Sequence, residues 1–136
     1  MNTSHTLIVL ATLFLLTPIA PHAAEEGKGT LRPKVIPLQS SGKDVSPVLT
    51  GPPESVTMKS GLVVLAPGKS VGKHSTERNE ELLIVFEGQG EMTFKDGAKL
   101  PVKANTAVYC PPKTEHNVTN TGTGLLRYVY VVAKAQ

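Results

Sequence analysis

From Ser55 onward, short β-branched and apolar runs alternate with Gly, Pro and Asp-Gly turn signals at intervals too short for a stable helix. Ser55–Ala66 (SVTMKSGLVVLA) stops at Pro67-Gly68, and Glu81–Phe86 (ELLIVF) closes at Gly88 and Gly90. Glu91–Lys95 and Ala98–Lys103 flank Asp96-Gly97, a dipeptide that suits two-residue hairpins because both positions tolerate positive φ. Thr106–Cys110 is a short strand stopped by Pro111-Pro112; Val118–Thr119 and Leu125–Ala133 (LLRYVYVVA) complete the set. The last run is apolar on both alternating faces, as in a strand buried on both sides or at a subunit contact. The pattern predicts an all-β sandwich or barrel over 55–136.

The start of the chain reads differently. Leu7–Leu16 (LIVLATLFLL) is apolar but too short to span a bilayer. Pro18, Pro21 and the small residues Ala23-Ala24 follow, and Glu25-Glu26 opens a polar stretch. That order predicts a secretory signal over 1–24 and a periplasmic or secreted product with no membrane association after cleavage. Residues 25–54 carry Pro33, Pro37, Pro47, Pro52 and Pro53 and no clear period, which predicts an extended arm leading into the barrel.

Charge and cysteine content narrow the field. The net charge is +3, and every Lys, Arg, Asp and Glu follows Ala24. Basic residues such as Lys59, Lys69, Arg78 and Lys95 stand singly, without the interleaved aromatics of a nucleic-acid surface, so no nucleic-acid partner is expected. Cys110 is the one cysteine, so no intramolecular disulfide can form and the core alone must hold the fold.

Removal of the leader would take away His5 and His22 and leave His74 and His116. Each lies just outside a predicted strand and beside a turn, and Glu81 leads a strand. Two imidazoles and a carboxylate are ligands for one divalent transition metal: iron, manganese, zinc, nickel or copper.

Local spacing sharpens the assignment. Gly68, His74, Glu81 and Gly88 fall in the register of Gly, five residues, His-x-His, three or four residues, Glu, six residues, Gly. Asn105, Pro111, Lys113, His116 and Asn120 fall in the register of Gly, five residues, Pro-x-Gly, two residues, His, three residues, Asn. These two germin-like motifs, in this order, resemble those of the cupin superfamily. The second His of the first motif is Thr76 here, and both glycines of the second motif are replaced. The resemblance implies a double-stranded β-helix (jelly-roll) barrel with His74, Glu81 and His116 around one metal ion, and Thr76 on the vacant side. It also implies a homodimer and a small polar or anionic ligand or substrate.

Other residues are weighed against this centre. Glu80 adjoins Glu81, but neighbours on a strand face opposite ways, and only Glu81 has the spacing to Gly88. Glu77 suits a solvated loop, although it is near enough to replace the missing ligand. Tyr109, Cys110 and Thr76 are candidates to line the pocket, with Cys110 also suited to a buried, inert role. Tyr128 and Tyr130 read as core or barrel lining. Two functions stay open. One is a metal-dependent enzyme of oxygenase or isomerase type; the other is a non-catalytic, metal-free module for ligand binding or assembly.

Overall fold

A computed structural model describes residues 31–135, so the expected leader and the beginning of the arm lie outside the described residues. Among the described residues there are strands and no helix. In chain order they are β1 (Val45–Thr50), β2 (Lys59–Leu65), β3 (Asn79–Glu87), β4 (Gln89–Phe94), β5 (Lys99–Lys103), β6 (Thr106–Cys110), β7 (His116–Asn120) and β8 (Leu126–Lys134). They form two antiparallel sheets, one ordered β1-β2-β8-β3-β6 and the other β5-β4-β7. The segment after Gly68 runs beside β7 through isolated bridges pairing Ser70 with Thr119 and His74 with His116. This is the all-β architecture that the turn rhythm predicts, and the jelly roll that the motif resemblance implies.

Two expectations are corrected. The strand expected over Ser55–Ala66 is shorter, Lys59–Leu65, and the arm leading into it contributes Val45–Thr50 as β1, an edge strand paired to β2. The strand signal was masked by Pro47, which lacks an N–H and is tolerated on an edge, where the register shifts between Pro47 and Leu49. The Asp96-Gly97 turn also differs from a two-residue loop. Phe94 N–H donates to Ala98 O at 2.9 Å, Asp96 Oδ1 accepts from the Ala98 amide, and Gly97 alone takes positive φ. Lys95, Asp96 and Gly97 therefore make a three-residue turn with glycine in the left-handed position.

Alternation sorts β3, β6 and β7 into an inner and an outer face, whereas β2 is buried on both. Val63 and Leu65 of β2, Leu83 and Val85 of β3, and Leu126 and Tyr128 of β8 meet Met92, Val102 and Val118 of the smaller sheet in one buried cluster. Fully burying a side chain of this size contributes about 1.5–3 kcal/mol, which lets the cluster carry the fold without a disulfide. β8 lies between β2 and β3, so its outward Val129 and Val131 are also half-buried. That accounts for its two-faced apolar sequence.

The motif glycines have a backbone reason. Gly68 and Gly88 adopt positive φ, and so do Asn105 and Lys113, which stand where the second motif has glycine. The left-handed turns persist although the side chains have changed; Asn tolerates this conformation and Lys is strained in it. Asn120 is buried and holds three backbone groups: its amide donates to Leu65 O and Gly124 O, and its Oδ1 accepts from Gly122 N.

Gly88 and Gly97 separate conformation from crowding. Both have positive φ, but a Cβ on Gly88 would lie 2.1 Å from Leu125 O, whereas Gly97 has open space. Strain and backbone clash together predict that Gly88→Ala costs about 2–5 kcal/mol, against about 1 kcal/mol for Gly97→Ala. Equilibrium denaturation of the two variants measures the difference; equal losses would show that the Leu125 contact is immaterial.

Candidate metal centre

Pleating puts Glu81 of β3 inside and Glu80 outside. The Glu81 side chain is 6% exposed, while Glu80 accepts a 3.1 Å hydrogen bond from the Tyr109 hydroxyl on the outer surface. His116 opens β7 on the opposite sheet and is buried. His74 comes from the segment beside it. His74 N–H donates to His116 O at 3.0 Å and His116 N–H donates to His74 O at 2.9 Å, so their side chains share a face. The ring centroids are 4.5 Å apart.

Hydrogen bonds fix the imidazole tautomers. His74 Nδ1 lies 3.0 Å from Gly72 O, and His116 Nδ1 lies 3.0 Å from Thr114 O. A carbonyl only accepts, so each Nδ1 carries the proton and each Nε2 presents a lone pair. His116 Nε2 is 3.2 Å from Glu81 Oε2, and His74 Nε2 is 4.0 Å from the same oxygen. Neither Glu81 Oε2 nor His116 Nε2 has an aligned hydrogen-bond partner, although both are buried. Three acceptors thus converge with no donor among them. Such a cluster is unfavourable unless a proton or a metal cation sits between them.

The donor set fits a metal. One ligand atom from each of His74, Glu81 and His116 lies within 4.8 Å of the other two. Donors about 2.0–2.2 Å from a shared ion are at most about 4.4 Å apart, a bound that both measured contacts to Glu81 satisfy. The carbonyls of Gly72 and Thr114 supply the outer hydrogen bonds that orient ligating imidazoles. Without a metal a proton takes its place. The Glu81 carboxylate raises the His116 pKa above the ordinary imidazole value, burial opposes this, and the Thr114 carbonyl adds to the rise.

A cavity of about 280 Å³ opens beside these ligands. His74, Glu81 and Thr76 line it, together with Tyr128, Tyr130 and a set of valines. The Thr76 hydroxyl donates to Asn79 O at 2.8 Å, and Thr76 O accepts from the Asn79 amide. Its hydroxyl proton is therefore committed to the turn before β3. Burial, and then the Glu81 charge, push the Tyr128 and Tyr130 phenols upward.

Tyr109 does not line the cavity. It is 56% exposed, because Cys110 next to it faces inward and β6 alternates. Cys110 does not line it either. It is fully buried with Sγ 3.2 Å from His116 Nδ1, behind the ring and away from the converging Nε2 atoms. Burial, with the Glu81 charge adding to it, pushes its thiol up to about 11. Glu77 lies on an exposed loop outside the three-residue cluster, its amide donating to Ser75 Oγ. Sequence reasoning missed the valine walls and the two orienting carbonyls. Valines resemble any core residue, and a backbone carbonyl leaves no mark in the sequence.

A family model described as "Cupin domain" matches residues 61–132. The oxalate-binding protein of Thermotoga maritima is 33% identical over 69 residues, which cover 50% of this chain and 55% of that protein. The chain spans about half the length of the curated relatives it matches. Among solved structures, a cupin 2 conserved barrel domain protein of Salinispora arenicola superposes with TM-score 0.59 at 26% identity, covering 78% of this chain and 89% of that one. An RmlC-like cupin family protein with a double-stranded β-helix fold, from Methanocaldococcus jannaschii, gives TM-score 0.64 at 19% identity over 77% and 94% of the two chains. With the barrel, both motif registers and a family match over more than half its length, the chain belongs to the cupin domain family.

Proposed function

We propose that this cupin barrel binds one divalent transition metal through His74, Glu81 and His116 and takes a small polar or anionic molecule beside it. The observation that carries the reading is the convergence of two Nε2 lone pairs and a buried carboxylate with no donor among them. A divalent ion held there supplies a Lewis acid with open positions for a ligand donor atom. The protein's part is to orient the imidazoles through Gly72 O and Thr114 O and to place a largely apolar wall beside the ligand. The two-His, one-carboxylate set also suits an enzyme of oxygenase type, and isomerase chemistry needs only the Lewis acid. A relative described as oxalate-binding supports the small-ligand part.

Metal content and its pH dependence test the centre. Purified protein should carry close to one ion per chain, and His116→Ala should release most of it. A raised His116 pKa means that the metal-free His116–Glu81 pair stabilises the fold fully below about pH 6.5 and loses that contribution as pH rises through the raised value. The same proton competes with the ion, so affinity should fall about tenfold per pH unit below that value. Stoichiometric metal in His116→Ala would reject the assignment. Protein that takes up no metal at pH 8 would favour the metal-free ligand-binding alternative.

Two copies associating through the outer face of the larger sheet are part of the same reading. Leu82, Ile84 and Phe86 form a stripe along β3 that is 38%, 46% and 39% exposed. Such a contiguous apolar patch favours association. Ile84→Lys should convert a dimer to a monomer in analytical ultracentrifugation; a wild-type chain that is monomeric at high micromolar concentration would refute it. Export through the 1–24 leader also belongs to this reading. Expression of the full chain in a bacterial host should yield a periplasmic product beginning at Glu25, checked by intact mass, whereas an uncleaved cytoplasmic product counts against it.

A further inference from the structure

The ligands and the cavity walls together set a charge balance. Two imidazoles with protonated Nδ1 are neutral at Nε2, and Glu81 contributes one negative charge. A divalent ion in the proposed centre would leave the site at +1. Among the described residues that line the cavity, none is Lys or Arg. The remaining lining is Val45, Val63, Val71, Val132, the hydroxyl of Thr76 and two tyrosines, all neutral at ordinary pH. The Thr76 hydroxyl already donates to Asn79 O, so it has no proton to offer an incoming anion.

The walls are shaped as well as apolar. Tyr130 lies across Gly61 of β2: a Cβ at that glycine would sit 2.6 Å from the ring. The ring therefore covers the Gly61 backbone and shares the cavity wall with the valines. A cavity of about 280 Å³ holds roughly nine waters' worth of volume at about 30 Å³ each. That is room for a ligand of about ten non-hydrogen atoms. One negative charge neutralises the loaded centre. A second would sit against valine and tyrosine walls with no countercharge among the lining residues, which disfavours a dianion.

We propose, resting on the metal-centre reading above, that this cavity selects a compact monoanion with an apolar body, such as an aromatic or branched monocarboxylate, over a dicarboxylate. The anionic group faces the ion that His74, Glu81 and His116 would hold, and the body packs on Tyr128, Tyr130 and the valines. This sets the chain apart in ligand class from the relative described as oxalate-binding.

The test uses the full mature chain loaded with zinc, with metal content measured before and after each titration. Calorimetry then compares benzoate, oxalate, acetate and neutral benzamide at pH 7.5. Benzoate should bind at least tenfold more tightly than any of the other three and should perturb tyrosine absorption, which acetate should not. Oxalate binding as tightly as benzoate overturns the charge argument. Acetate matching benzoate overturns the role of the walls. Failure to hold one zinc per chain overturns the metal centre itself, and the ligand class with it, and is distinguished from the other outcomes by the metal analysis.

Discussion

Two backbone hydrogen bonds between His74 and His116 organise the functional end of this barrel. They belong to no regular strand pair, yet they bind the 70–74 segment to β7 and set two imidazoles side by side. Glu81 reaches them from the opposite sheet, where β3 is held between β6 and β8. The centre thus depends on both sheets keeping their spacing, and that spacing is kept by the core cluster of Leu83, Val85, Met92, Val118 and Tyr128. A buried carboxylate opposite an imidazole lone pair is an electrostatic fault when left alone. The surrounding apolar packing is what allows it to persist as a poised site.

Much of this arrangement was legible because side-chain direction on a strand has a period of two. The interval from Glu81 to Gly88 places one of two adjacent glutamates inward, and the strand Thr106–Cys110 could be read from its β-branched start and proline stop. Strand β1 was not legible. Pro47 and the surrounding loop residues erase the period, and the strand is paired on one side only, to β2. Tyr109 was misread for a related reason: it adjoins Cys110, but proximity in sequence puts it on the other face. The hairpin at Asp96-Gly97 illustrates a third limit, since the dipeptide specifies a tight turn but not how many residues it uses.

The second motif shows what kind of information such patterns hold. Asn105 and Lys113 occupy left-handed positions that glycine fills in the motif. What the fold requires there is a backbone direction, and residue type is only the usual means of reaching it. Lys113 tolerates its conformation because its amide donates to Glu77 O, joining the loop before β7 to the loop before β3. Substitutions that look like decay of a motif can therefore leave its geometry in place. Thr76 is a different case. It replaces a nitrogen donor with a hydroxyl that serves a turn, so the change is chemical and not merely conformational.

Cys110 has a consequence for the life of the molecule. Its sulfur is sealed behind the His116 ring, and with the thiol pushed up to about 11 only a trace is ionised near neutrality. Thiolate is the species that attacks disulfides and that oxidants consume first. Although its sole cysteine is unpaired, the folded chain can pass through oxidising surroundings without cross-linking to its neighbours. That immunity lasts only as long as the barrel stays shut.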